Sequence, residues 1–339
     1  MAKVKDIPQE DFEHLRPKNL SSYIGQDQIK ESLRVFIKAA RLRGEPLEHI
    51  LFHGPPGLGK TTLAFILANE TNSQIKITSG PAVERGADLI SILTSLEDGD
   101  ILFIDEIHRL NKVVEEILYP AMEDYAVDLV IGKGPSAKTL RVDLPKFTLI
   151  GATTRVSLIS APMRDRFGIV QSIDFYSNDE IAEILSRASK VLKVTADEEA
   201  IGNIAQRSRQ TPRVGNRLLK RVRDFATVYN KGKINSDVVQ DAFKKMGIDN
   251  IGLDKSDRKY LNVLCTKFSG GPVGIETLAA ATSLDRDTIE EVMEPYLMQI
   301  GFIKRTPKGR VSTQKAEEYL SNQAQHRLEG KSRRDGEKK

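Results

Sequence analysis

The hydrophobic positions of this 339-residue chain follow three successive rhythms. Through residues 20–176, short runs of consecutive apolar residues alternate with stretches of helical period. The runs 50–53, 75–78, 101–104, 148–152 and 169–175 predict strands, and 61–69 and 113–122 predict two of the helices between them. Unbroken apolar runs belong to strands covered on both faces, so the pattern predicts an α/β domain with a parallel sheet flanked by helices. One stretch departs from it. Residues 127–131 and 138–142 are extended runs around Gly132-Lys133-Gly134-Pro135, which predicts an inserted β-hairpin at 127–142 that either packs on its own domain or binds a partner.

Residues 177–248 carry helical periodicity alone, with helices expected at 178–191, 196–207, 214–229 and 236–246 and N-caps at Ser177 and Ser236. The polar, glycine-containing stretch 249–256 is expected to be a linker. Beyond it come three helical segments, 257–268, 274–283 and 287–299. Two short extended runs around Thr306-Pro307-Lys308-Gly309 follow, and together these make the pattern of a winged helix. The expected domains are therefore a large α/β domain at 1–176 carrying the hairpin, a small all-α domain at 177–250, a winged-helix domain at 251–325 and a polar tail at 326–339.

Composition adds little to this division: 40% hydrophobic and 29% charged residues are ordinary for a globular chain. No apolar run approaches the ~20 residues that span a bilayer, and the N-terminal residues lack the apolar core of a signal peptide, so a cytoplasmic location is expected. A single cysteine, Cys265, leaves no internal disulfide and no cysteine-based zinc site, and is read as a small buried hydrophobe. The net charge of +4 is modest, but its distribution is not even. Seven basic residues and no acid lie between Arg207 and Arg223, and Lys304, Arg305, Lys308 and Arg310 lie together without an acid.

Chemistry concentrates at two strand ends. Gly54-Pro55-Pro56-Gly57-Leu58-Gly59-Lys60-Thr61, continuing into Thr62, stands between a predicted strand and a predicted helix. This is a phosphate-binding P-loop: Gly54, Gly57 and Gly59 let backbone N–H groups wrap a phosphate. Lys60 can reach the β and γ oxygens, and the Thr61 hydroxyl can hold Mg²⁺. The dipole of the following helix favours the same anion. Further along, Asp105-Glu106 ends the run Ile101-Leu102-Phe103-Ile104. Asp105 can hold the metal through its water shell, and Glu106 can orient the water that attacks the γ-phosphate.

The wing offers a second kind of chemistry. The predicted third helix of the winged helix carries Asp285, Asp287, Glu290, Glu291 and Glu294 against Arg286, which argues against deep insertion into a DNA groove. Arg305 and Arg310 bracket the turn and, with Arg286, are the candidate phosphate contacts. Their affinity would be independent of base sequence. A protein-binding winged helix with a solvated basic turn is the alternative.

A P-loop sheet followed by a small helical domain resembles the AAA+ ATPases, and that resemblance implies roles for further residues. Thr154, with Thr153 close behind, would sense the γ-phosphate. Arg166, or else Arg164, would reach the nucleotide of a neighbouring subunit, and Arg213 would contact the γ-phosphate from the small domain, or lid. The rest of that basic run, at Arg217, Lys220 and Arg221, is expected to be a solvated face rather than a DNA contact. Leu15-Arg16-Pro17 and Tyr23-Ile24-Gly25-Gln26 would flank the adenine, with Tyr176 closing the pocket.

The match is closest to the RuvB family of Holliday-junction branch-migration motors. It runs through residues 104–110, Tyr119-Pro120-Ala121-Met122-Glu123-Asp124-Tyr125, Gly151-Ala152-Thr153-Thr154-Arg155, residues 164–170, Thr211-Pro212-Arg213 and Arg305-Thr306-Pro307. The resemblance implies a Mg²⁺- and ATP-dependent hexameric ring on duplex DNA at four-way junctions, acting in recombination and repair. It further implies a partner, RuvA, at the hairpin, a resolvase, RuvC, in the wider complex, and a position close to the nucleotide for Glu123, Asp124 and Tyr125. The competing readings are an initiator-like DNA-binding protein that uses ATP as an assembly switch and a protein-remodelling machine.

Overall fold

The runs of consecutive buried residues set the sheet. Strands β1 (Ile50–His53), β2 (Ile75–Ser79) and β3 (Ile101–Asp105) come first in the chain. The hairpin strands β4 (Ala126–Ile131) and β5 (Lys138–Asp143) follow, and then β6 (Thr148–Thr153) and β7 (Ile169–Ser172). The computed structural model describes residues 14–131 and 138–323. Five strands form one parallel sheet in the order β2-β3-β6-β1-β7. Every residue of β6 is buried, as are the first four of β3, because helices cover both faces. The predicted last strand, 169–175, stops at Ser172. Its neighbour β1 turns into the glycine loop after His53, and the final rung is Ile173 N–H donating to His53 O at 2.8 Å.

The hairpin is antiparallel, with Ala126 opposite Asp143 and Ile131 opposite Lys138, and it pairs with no strand of the sheet. Its predicted turn, Gly132-Lys133-Gly134-Pro135, lies outside the described residues, as do residues 1–13 and the tail beyond 323.

The chain divides into two compact units, one comprising 14–194 with 211–216 and the other 195–210 with 217–323. In the first, helix Asn178–Val191 starts on Ser177, whose hydroxyl accepts from Glu180 N–H while the Glu180 carboxylate returns the bond, as expected. In the second, helices Glu198–Gln206 and Ser236–Met246 pack together beside the short parallel pair β8 (Thr195–Ala196) and β9 (Lys233–Ile234). The cap of the latter helix is Asn235 and not Ser236: the Asn235 side chain accepts from Val238 N–H at 3.0 Å, and Ser236 is already helical.

The expected linker is instead packed. Asp249 accepts from the N–H groups of Ile251 and Leu253, Arg209 donates to Gly252 O, and Leu253 is fully buried. Asp254 caps helix Lys255–Asn262, accepting from Ser256 and Asp257 N–H. A polar composition here serves internal hydrogen bonding, with Arg207 donating to Asn250 and Arg209 paired with Asp254 and Asp257.

The winged helix closes on a core that includes Tyr260, Leu264, Leu278, Ile289, Leu297 and Phe302. Two of its helices contain a turn of wider π type, at Val263–Lys267 and Thr288–Met293. Strands β10 (Ile303–Thr306) and β11 (Gly309–Ser312) form the wing. Val273 pairs with Arg310 on its other side.

Candidate active site

The glycine loop occupies the end of β1 at the carboxyl edge of the sheet, where open α/β sheets bind ligands. Its geometry requires glycine. Gly54 has φ 141° and a Cβ there would lie 2.4 Å from Ile173 O. Gly57 has φ 82° and a Cβ would meet Arg213 Cβ at 2.9 Å. Lys60 opens helix Lys60–Thr71, and its ammonium donates to Gly54 O at 2.7 Å and Pro55 O at 2.8 Å. Burial pushes the Lys60 pKa down to about 8, against the pull of Asp105 and with a push from Arg213. Thr61 and Thr62 follow it on the first turn, half-buried.

Asp105 lies two strands away at the same edge. Burial raises its pKa, opposed by the Glu106 N–H it accepts at 2.9 Å and by Lys60. Glu106 sits at φ 48°, a left-handed conformation that non-glycine residues adopt at a cost and that clusters at functional sites. Its carboxylate is held by Arg109 at 3.0 Å. Thr61 and Asp105 present hard oxygens of the type Mg²⁺ accepts. Among the described residues there is no group of three His, Cys, Asp or Glu able to hold a metal by themselves.

At the end of β6 the two threonines part. Thr153 is buried, its hydroxyl 2.9 Å from His108 Nδ1 and accepting from Arg155 N–H, whereas Thr154 is half-exposed. Arg213 comes to the same edge, its N–H donating to Gly57 O at 3.3 Å and its side chain exposed. Tyr176 does not line an open pocket. Only 2% exposed, its hydroxyl donates to Tyr23 OH (2.8 Å) and lies 3.2 Å from Leu58 O, bracing the loop from behind. Burial, first of all, pushes the Tyr176 pKa up to about 12. Leu15 is buried, with its carbonyl accepting from Arg187, and the Arg16 guanidinium stacks on Phe65 at 4.8 Å.

The remaining predicted residues collect at the opposite edge, where the strands begin. His49, just before β1, has Nε2 3.0 Å from Met122 O and Nδ1 accepting from Leu149 N–H. Its carbonyl accepts from Ile169 N–H. Tyr125 packs on His49 and Phe147, and Glu123 pairs with Arg166 at 3.1 Å. Asp124 pairs with Arg141 of the hairpin at 2.6 Å. The four residues of β1 put about 13 Å between the two edges at ~3.3 Å per residue. Lys60 with Asp105 and Arg166 with Glu123 therefore belong to different ends of one sheet. Arg166 finds its ion-pair partner in Glu123 rather than the adjacent Asp165; Arg164 is exposed.

In the wing, Arg305 and Arg310 are cross-strand partners, a like-charge pair that would repel. Both turn to one carboxylate. Glu294, fully buried, accepts from Arg305 at 2.6 Å, from Arg310 Nε at 2.9 Å and from Tyr260 OH at 2.9 Å. Arg310 also pairs with Glu290 at 2.6 Å and is only 12% exposed. Arg286 pairs with Glu276 and Glu290. Two of the acids that argue against helix insertion, Glu290 and Glu294, are the wing's own counter-ions. Nor do Arg217, Lys220 and Arg221 form a solvated face throughout: Lys220 is buried, as are Arg207 and Arg209 earlier in the run.

Three residues of this arrangement have no role in the sequence reading: His49, His108 and Tyr119. A signal for the last is the spacing Glu115, Tyr119, Glu123, which puts an acid, a phenol and an acid on one helix face.

Known proteins match most of this chain. The family model described as the Holliday junction DNA helicase RuvB P-loop domain matches residues 15–173. The RuvB AAA lid domain matches 176–249, and the RuvB C-terminal winged helix domain 250–321. The solved Thermotoga maritima RuvB Holliday junction branch migration motor is 49% identical, with a TM-score of 0.83. The match covers 91% of this chain and 98% of that one. Two solved point mutants of the T. maritima protein have TM-scores of 0.84 at the same identity and the same coverage of each chain. Among the described residues no helix is long and apolar enough to cross a membrane.

Proposed function

Because the chain belongs to the RuvB family of P-loop AAA+ branch-migration motors, we propose that it hydrolyses ATP in a ring of six copies and moves duplex DNA through four-way junctions. One observation carries the reading: Lys60, Asp105, Glu106 and Arg213 gather at one edge of the sheet and Arg166 at the other. An arginine that acts on nucleotide from there acts on a neighbouring copy's.

In this reading, backbone N–H groups of residues 54–61 and the dipole of helix Lys60–Thr71 cradle the phosphates, with Leu15 and Arg16 on the adenine side. Mg²⁺ held by Thr61 and, through water, Asp105 would neutralise phosphate charge. Glu106, released from Arg109, takes the attacking water. Thr154 and Arg213 sense the γ-phosphate, and Arg166 supplies a guanidinium to the developing charge, with Glu123, Asp124 and Tyr125 beside it at the subunit interface. Such a guanidinium accelerates hydrolysis by roughly 10³ to 10⁵ in well-characterised nucleotide hydrolases. The wing, with Arg305 as its exposed guanidinium and Arg286 nearby, meets DNA phosphates without regard to sequence. The hairpin, unpaired with the sheet and presenting a half-exposed Leu140, receives RuvA; RuvC joins the wider complex. Junction DNA would stimulate the ATPase.

The test mixes Arg166→Ala subunits, which keep an intact P-loop, with Lys60→Ala subunits, which keep an intact arginine. ATP turnover and junction unwinding are followed across mixing ratios. Turnover should recover at mixed interfaces although Lys60→Ala alone is inactive and Arg166→Ala alone keeps only residual turnover, and no recovery at any ratio would sink the reading. An ATPase indifferent to four-way-junction DNA would favour the remodelling alternative.

A further inference from the structure

We propose that Tyr119 is a positioning residue for Arg166, a flat platform that holds the guanidinium in one plane before it meets the neighbouring copy's nucleotide. The inference rests on the action of Arg166 in trans. Arg166 Cζ lies 4.3 Å from the centre of the Tyr119 ring, a cation–π contact. Its other fixed contacts are Glu123 Oε1 at 3.1 Å and the Pro162 carbonyl at 2.7 Å. The side chain is 22% exposed, and its Nε is buried without a hydrogen-bond partner among the described residues.

The platform is itself fixed. The Tyr119 hydroxyl donates to Glu115 Oε2 at 3.2 Å, and Ser160 Oγ donates to the same oxygen at 2.9 Å. Ser160 caps helix Ala161–Asp165, accepting from Met163 N–H, and Arg166 is the residue that ends that short helix. One nearly buried carboxylate thus orients the ring below the guanidinium and anchors the start of the helix that carries it. The two attractive contacts differ in what they consume. Glu123 uses an N–H donor that an incoming phosphate would claim, whereas the ring uses the π face and leaves the donors available. Tyr119 can therefore keep its hold while Glu123 yields to nucleotide, and the arginine loses less rotamer freedom in the transition state.

The experiment measures kcat and KM for ATP in the full-length protein with junction DNA, for Tyr119→Leu, Tyr119→Met and Tyr119→Phe, each in the wild-type and Arg166→Ala backgrounds. Loss of the ring should lower kcat about 3- to 30-fold, the range a cation–π contact spans, with KM within about twofold. Tyr119→Phe, which keeps the ring, should retain most activity. In the Arg166→Ala background none of the three should reduce turnover further. Mixing Tyr119→Leu with Lys60→Ala subunits should restore turnover per intact P-loop. An equal loss in the Arg166→Ala background, or a rise in KM with kcat unchanged, would overturn the role of Tyr119 alone. An Arg166→Ala protein with unimpaired kcat would overturn that role together with the trans reading beneath it. Tyr119→Met keeps side-chain bulk, so a folding defect confined to Tyr119→Leu leaves the comparison intact.

Discussion

Replacing Arg310 by alanine tests what the wing arginines are for. Glu294 is fully buried and its carboxylate accepts from three side chains, Tyr260, Arg305 and Arg310, the last of which bonds both oxygens, at 2.9 and 3.4 Å. Removing one partner of a buried ion pair costs about 3–5 kcal/mol, because the other charge is left in a medium that solvates it poorly. Here Tyr260 and Arg305 remain on Glu294, and the cross-strand repulsion between Arg305 and Arg310 disappears, which lowers the cost below that range to ~2–3 kcal/mol. For a winged helix of about 70 residues that is a fall of about 8–24 °C in the transition that unfolds it, read by calorimetry on the full chain. Adding Glu294→Gln should recover part of it, since an amide is less costly than an unpaired carboxylate. DNA binding, followed by fluorescence anisotropy over a salt series, should weaken with little change in salt slope while the domain stays folded. An unchanged melting transition with a salt slope reduced by about one unit would make Arg310 a phosphate contact and refute the argument.

Two titrations and one substitution follow from the site. The Lys60 pKa of about 8 lies below the value near 10.5 of an unfolded chain, so between those values the unfolded state holds more protons. Compared with Lys60→Met, the nucleotide-free protein should gain stability as pH rises from 8 to 10, and a flat difference curve would contradict the burial of that ammonium. The His49 pKa is lowered chiefly by burial, while its Nδ1 accepts from Leu149 N–H. The unfolded state again binds the extra proton, so stability should fall as pH drops below about 6.5. His49→Gln should flatten that slope in urea titrations, and an unaltered slope would point elsewhere. Gly54→Ala should abolish nucleotide binding in a fluorescent-nucleotide assay, since its Cβ would stand 2.4 Å from Ile173 O; near-normal affinity would mean that the loop can shift.

What could be read from the chain was whatever short-range spacing encodes. The glycine loop, the carboxylates ending β3 and the buried strand runs are local patterns with one physical interpretation each. What escaped depends on contacts between distant residues. Nothing local favours Asn235 over Ser236 as a cap, since both side chains can accept, and the choice falls with the chain direction into the helix. Residues 249–256 are polar like a linker, yet their polarity is consumed by Arg207 and Arg209, more than 40 residues earlier. The acids of the third helix and the arginines of the wing were visible as opposite charges. Their meeting at Glu294 needed the fold. Likewise Glu123, expected close to the nucleotide, stands with Arg166 at the other end of the sheet, because the length and direction of β1 separate that end from the glycine loop.

The placement of the two half-sites at opposite ends of one sheet limits how copies can associate. A two-fold dimer would satisfy both contacts reciprocally and close at two copies. In the proposed ring of six the contact is instead heterologous, passed from each copy to the next, and such a contact gives either a closed ring or an open helix, according to the rotation per copy. In that proposed ring every copy would have a donor side and an acceptor side, so one defective arginine would silence one neighbour and spare the other. Such a ring would have a sense of direction before any DNA enters it.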